Sequence, residues 1–144
     1  MLFLLYNNYG DIMDILKIIN DNKNSEEKAV IKEFDELEDY YSEKLNSYIF
    51  PSGVMFMNDF DINVDIYTTY IYASNMKCRN LYATDMVKVD SIKTNDLYGK
   101  AIVCMKDLDA KEVVYKSILT VMGKNKCKNN KKEDYEVNPK LDTL

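Results

Sequence analysis

From Asn24 to Tyr48 the apolar residues Val30, Phe34, Leu37, Tyr41, Leu45 and Tyr48 recur three and four positions apart. Such spacing stacks side chains on one face of an α-helix, so the stretch predicts a long amphipathic helix with Glu33, Glu36, Asp39 and Glu43 turned away from the seam. Asn24 and Glu27 form a capping-box pair at its start, and Pro51 with Gly53 marks its stop. Upstream, Leu2, Leu5, Tyr9, Ile12, Leu16 and Ile19 repeat the same spacing, interrupted by Asn7, Asn8 and Gly10. This segment reads either as a short strand feeding a helix from Asp11 to Asn20, or as one helix that tolerates Gly10.

After Pro51 the period changes to two. Ile62, Val64, Ile66, Thr68, Tyr70 and Tyr72 fall on one side of a strand, and Asn63, Asp65, Tyr67, Thr69 and Ile71 on the other. Val54 to Met57, the alternation from Leu81 to Val89, and Ala101 to Met105 supply further strands. Short polar turns between them predict an antiparallel meander of three to four strands. Asp107 or Asp109 then caps a last helix through Val113, Val114, Ser117, Ile118, Val121 and Met122, with Gly123 as its stop. The expected architecture is α+β, with residues 1–123 as a compact domain and 124–144 as a polar arm. The expected strand-turn-helix ending, Ala101 to Met122, resembles the ending of small phage neck or tail-terminator proteins. Subunits of that family form rings, so the resemblance implies a ring-forming virion subunit.

Composition narrows the chemistry. A chain of 144 residues holds one core-bearing domain. A net charge of -5 with Arg79 as the sole arginine argues against nucleic acid or an anionic membrane as partner. There is no histidine, which removes Ser-His, Cys-His and His-metal arrangements. Cys78, Cys104 and Cys127 stand far apart and form neither a zinc motif nor a disulfide framework. Asp59, Asp61, Asn63 and Asp65 imitate the first half of a calcium loop, but Val64 stands where that loop needs glycine and Tyr70 where it needs glutamate. Isolated glycines exclude phosphate-binding loops. No cofactor is expected. Met1 to Tyr6 is apolar but lacks the basic flank of a signal peptide and the length of a membrane span.

What remains is surface. Tyr67, Thr69 and Ile71 lie on the second side of the expected sheet, Glu33 and Glu36 on the acidic helix face, and Lys126, Lys128, Lys131 and Lys132 on the arm; together they form a candidate protein interface. The expected function is a non-catalytic structural or assembly protein, a small subunit of a larger complex, of the virion neck or tail-connector kind. Its expected partners are other subunits or copies of itself, in the cytoplasm or within a virus particle, with neither nucleic acid nor membrane. A second reading is a viral or phage regulatory protein that masks a host factor. A third is an enzyme with an unusual Asp, Lys or Tyr site. Asn, Lys, Tyr, Ile and Asp are frequent, and their AT-rich codons fit an AT-rich genome such as those of many viruses, phages and parasites.

Overall fold

In the computed structural model, which describes residues 29–133, buried side chains follow a stepped rhythm. Val87 and Val89, Ile92 and Thr94, Leu97 and Gly99, and Ile102 and Cys104 are buried pairs, two apart within a pair and three apart between pairs. Residues two apart in a strand share a side. The step of three bends the chain at a corner and returns the next pair to the same interior.

This rhythm winds the chain into a β-solenoid-like stack of rungs. The strands are β1 (Ala29–Ile31), β2 (Tyr41–Ser42), β3 (Ser47–Phe50), β4 (Val54–Phe56), β5 (Phe60–Asp61), β6 (Asp65–Thr68), β7 (Ile71–Lys77), β8 (Asn80–Ala83), β9 (Met86–Cys104), β10 (Leu108–Val121) and β11 (Asn129–Lys132). Their pairings fall into three parallel ladders. In ladder A, Val54 faces Ile71 and Ile71 faces Val87. Ladder B sets Phe60 beside Met76, Met76 beside Ile92, and Ile92 beside Leu108. Ladder C runs Ser47, Asp65, Asn80, Asp96, Glu112 and Asn129. Successive partners in ladder C are 15 to 18 residues apart, so each turn of chain takes about sixteen residues. The long strands β9 and β10 run on through corners, with a register shift in their pairing between Tyr115 and Ile118.

The interior is graded. In the first turn the three ladders contribute Phe50, Phe56 and Phe60, with ring centroids 5.8 Å apart for the first two and 4.7 Å for the last two. Later turns contribute aliphatic sets such as Ile66, Ile71 and Met76, then Leu81, Val87 and Ile92, then Leu97, Ile102 and Leu108, all buried. In later turns the second inward position is often small: Ala83, Gly99, Cys104 and Ala110 occupy it. A Cβ on Gly99 would lie 2.9 Å from Ile102 Cγ1 and 3.1 Å from Val87 Cγ2, so the interior is full there. The buried hydroxyls of Ser47, Thr68, Thr69 and Thr94 donate to the carbonyls of Leu45, Tyr70, Pro51 and Arg79 respectively.

This architecture corrects the expected α+β fold. The chain is mostly β, and its helical content among the described residues is one 3-10 helix, Phe34–Tyr40. The long amphipathic helix is therefore absent over the described part of Asn24–Tyr48, where β1, that 3-10 helix, β2 and the start of β3 stand instead. Of the presumed seam only Leu37 is buried, at 1% exposure, whereas Val30, Phe34 and Tyr41 are exposed. The physical reason is the shape of the cover: the open end of a solenoid accepts one side chain, not a helical stripe. Leu37 plugs it, and Tyr40 and Phe34 lay their rings against Phe50 and Phe60.

The antiparallel meander is likewise replaced by parallel ladders, with the β2–β3 pair the antiparallel exception. The expected strand from Ile62 to Tyr72 breaks into β6 and β7 at a corner. The C-terminal helix is β10: Val113, Val114, Ile118, Thr120 and Val121 are β-branched and continue the ladders of β9. The ring-forming family resemblance rested on that helix and falls with it. Residues 124–132, expected as part of a polar arm, form the last rung, with Leu108 bridging Asn125 and β11 paired to β10. The expected N-terminal helix or strand-helix and the rest of the arm lie outside the described residues.

Each inward residue packs against the turns before and after it, which sets a testable cost. Leu97→Ala should destabilise the chain by about 2–5 kcal/mol in urea unfolding, whereas the outward Lys88→Ala should stay within about 0.5 kcal/mol of the parent.

Candidate functional site

The outward side of each ladder has its own chemistry, and ladder A is the apolar one. Its outward positions alternate with the buried Val54, Phe56, Ile71, Val87, Val89, Ile102 and Cys104. Val30, Met55, Tyr72 and Lys88 are successive register partners there. Val103 pairs with Thr120, and Ala101 with Ile118. Met57, Met105 and Met122 stand one position beyond these strand segments, and Met86 one position before Val87. Val30, Met57, Met105, Ile118 and Met122 are exposed, Ile118 at 51% and Met122 at 67%. Five of the eight methionines of the chain thus lie on or beside one outer surface, whose charged members are Lys32, Lys88 and Asp90. Apolar surface repeated rung after rung, with flexible thioethers along its edge, suits docking to another protein.

Ladder B is charged outside. Asp61, Lys77, Lys93 and Asp109 are successive partners. Beside them Asn75 Nδ2 donates to Asp59 Oδ1, the Asp107 N–H to Ser91 Oγ, and the Lys124 N–H to Asp107 Oδ1 at 2.9 Å. These columns line an open groove of about 360 Å³ that Lys126 also borders. The groove mixes both signs of charge. It lacks the enclosed, convergent polar groups on which catalysis depends.

Ladder C carries a polar column and an aromatic one. Arg79 Nε donates to Asp65 Oδ1 at 2.8 Å, Asn80 Nδ2 donates to the same oxygen at 2.9 Å, and Asn80 Oδ1 accepts the Asp96 N–H. Burial first, then the neighbouring Glu112 and Asp65, raise the Asp96 carboxyl above the usual range. At the last rung Lys131 Nζ lies 3.1 Å from Glu112. The aromatic column is Tyr67, Tyr82 and Tyr98.

The structure disperses the residues that sequence pattern had gathered into one interface. Ile71 is in the core, while Thr69 is buried at a corner and bonded to Pro51. Tyr67 is buried as well. Glu33 and Glu36 sit at the start of the 3-10 helix, where Glu36 accepts the Lys32 N–H. Lys126 borders the ladder B groove, and Lys128, Lys131 and Lys132 belong to the last turn. The calcium-like run is pulled apart, with Asp61 on ladder B and Asp65 on ladder C. Among the described residues no cluster of three or more His, Cys, Asp or Glu is placed to hold a metal, and no helix is long and apolar enough to cross a membrane. The methionine-lined surface is hidden in the sequence because its rung-to-rung neighbours are 15 or more apart and converge only through the rung repeat. No family model, curated protein or solved structure matches the chain.

Burial pushes the Cys78 thiol up to about 12 and the Cys104 thiol to about 11, and also raises Cys127. A disulfide-exchange reagent at neutral pH should therefore label Cys127, the partly exposed thiol, in the native chain, and reach Cys78 and Cys104 only after denaturation. Asp96 gives a second test. A carboxyl whose pKa is raised by folding lends most stability below its unfolded pKa and loses it as pH rises through the folded value. Thermal unfolding across pH should show Asp96→Asn more stable than the parent near neutrality, with that advantage gone in acid.

Proposed function

We propose that this protein is a non-catalytic assembly subunit that holds other subunits, copies of itself among them, against the outer surface of ladder A. The observation that carries the reading is the mostly apolar wall of Met55, Tyr72, Val103 and Thr120, with Lys88 the charge among them, bordered by the exposed Met57, Met105, Ile118 and Met122. A rigid stack of rungs presents such a surface without reorganising, so little conformational entropy is lost on docking. Methionine at the rim adapts to a partner's contours. The absence of histidine removes the commonest general base, and the described thiols are held protonated at neutral pH, which supports a binding role over a catalytic one. The net negative charge supports a protein partner over nucleic acid.

The test is light scattering of the full chain at rising concentration, beside Met105→Lys/Ile118→Lys/Met122→Lys. The parent should gain mass with concentration. The triple variant should stay monomeric, its association weakened by at least about 2 kcal/mol, while its unfolding midpoint changes little because the three side chains are exposed. A parent that remains monomeric throughout contradicts self-assembly through ladder A and leaves the masking of a foreign protein as the reading to pursue.

A further inference from the structure

Five rungs of ladder A, from β4 to the end of β10, put Lys88 and Asp90 on the middle one. The two lie on one strand, and residues so spaced share a side, about 6.6 Å apart along it. Lys88 is exposed and Asp90 half-exposed. Among the described residues ion pairs join Arg79 to Asp65 and Lys131 to Glu112, on ladder C, and do not join these two. The rungs on either side set uncharged pairs at the same two places, Tyr72 with Ser74 on one and Val103 with Met105 on the other. Backbone hydrogen bonds from the Met105 N–H to the Val89 carbonyl and from the Met122 N–H to the Cys104 carbonyl, each 2.9 Å, keep the second place in step from rung to rung. The wall thus holds one positive and one negative point at the centre of a mostly apolar ground.

A wholly apolar partner would strip water from both charges and match neither, which opposes binding. A second copy of the same wall matches both. A two-fold axis in the plane of the wall turns one copy over to face the other. It carries Lys88 onto Asp90 only if it bisects the line between them at right angles. That line follows the strand, so the axis runs along the stack. Each rung then faces its own equivalent, Lys88 meets Asp90 of the second copy, and Asp90 meets the second copy's Lys88. The same operation sets Val103 against Met105, Thr120 against Met122 and Met55 against Met57, with no charge in any of the three. An axis along the middle strand would instead bring Lys88 against Lys88.

On the reading of ladder A as a docking wall, we propose that its partner is a second copy of this chain, bound face to face about a two-fold axis parallel to the stack, with reciprocal Lys88–Asp90 ion pairs at the centre. The apolar rungs supply affinity, and the two ion pairs set the register and exclude other orientations. An isologous contact of this kind closes at the dimer, because each copy occupies its whole wall in making it.

Sedimentation of the full chain across a range of concentrations, beside charge variants, tests this arrangement. The parent should pass from monomer to dimer and no further. Lys88→Asp and Asp90→Lys should each raise the dimer dissociation constant by about tenfold or more, since each sets like charges face to face at two points. An equimolar mixture of the two variants should recover the dimer as a heterodimer, because every facing pair is then opposite in sign. Lys88→Asp/Asp90→Lys should dimerise alone as the parent does. Single variants that dimerise like the parent, or a mixture no stronger than its components, overturn the two-fold arrangement and leave ladder A itself to be judged by Met105→Lys/Ile118→Lys/Met122→Lys. A parent that assembles beyond the dimer overturns closure through this contact. A parent that stays monomeric overturns both this arrangement and self-assembly through ladder A.

Discussion

No turn of this chain can bury its apolar residues alone. Each ladder position has inward residues two apart along the strand, and their partners are the equivalent residues of neighbouring rungs. The parallel hydrogen-bond ladder fixes the vertical spacing, and the column of aliphatic groups fills the interior at that spacing. Stability is therefore a nearest-neighbour property. Among the described residues, Leu37 is buried beside the first rung, whose Phe50, Phe56 and Phe60 form an aromatic cluster, and β11 carries four exposed polar residues, two of them lysines.

With the interior committed to packing, function is left to the outer walls, and these differ. Ladder B sets Lys77 beside Lys93, with Asp61 and Asp109 on either side, a charged wall. Ladder C is knitted by Asp65 to Arg79 and Asn80 and carries a tyrosine column of which Tyr67 is buried. Ladder A leaves Met57, Met105, Met122 and Ile118 exposed. This contrast between an apolar wall, a charged one and an aromatic one is what the proposed docking role rests on.

Some of this order is legible in the chain. The expected strands Val54 to Met57 and Ala101 to Met105 overlap β4 and the end of β9, whereas the expected strand Leu81 to Val89 breaks between β8 and β9 at Thr84 and Asp85. What misleads is the step of three at each corner. Two followed by three, repeated, also produces separations of three and five, and in short windows these resemble a helix; Val113, Val114 and Ile118 read that way although they lie in β10. Gly123 looks like a helix stop, yet its place is set by a corner where a Cβ would strike the Lys106 carbonyl and the Asp107 side chain. Tyr67 is correctly placed opposite Ile66, but its burial depends on contacts far outside any local pattern. The rung length of about sixteen residues is hidden because few residue types recur at that interval; Leu81 and Leu97, and Tyr82 and Tyr98, repeat, but Ile66 and Val113 hold the same position as Leu81 with different side chains.

The most direct test of the stack is the set of amide and α-proton contacts seen by nuclear magnetic resonance in the full-length protein. The account predicts contacts between residues one rung apart, Ile71 with Val87, Leu81 with Leu97 and Leu97 with Val113, together with strand-type shifts through Leu108–Val121. Helical contacts three residues apart through Val113 to Met122, or antiparallel contacts between β6 and β8, would contradict it.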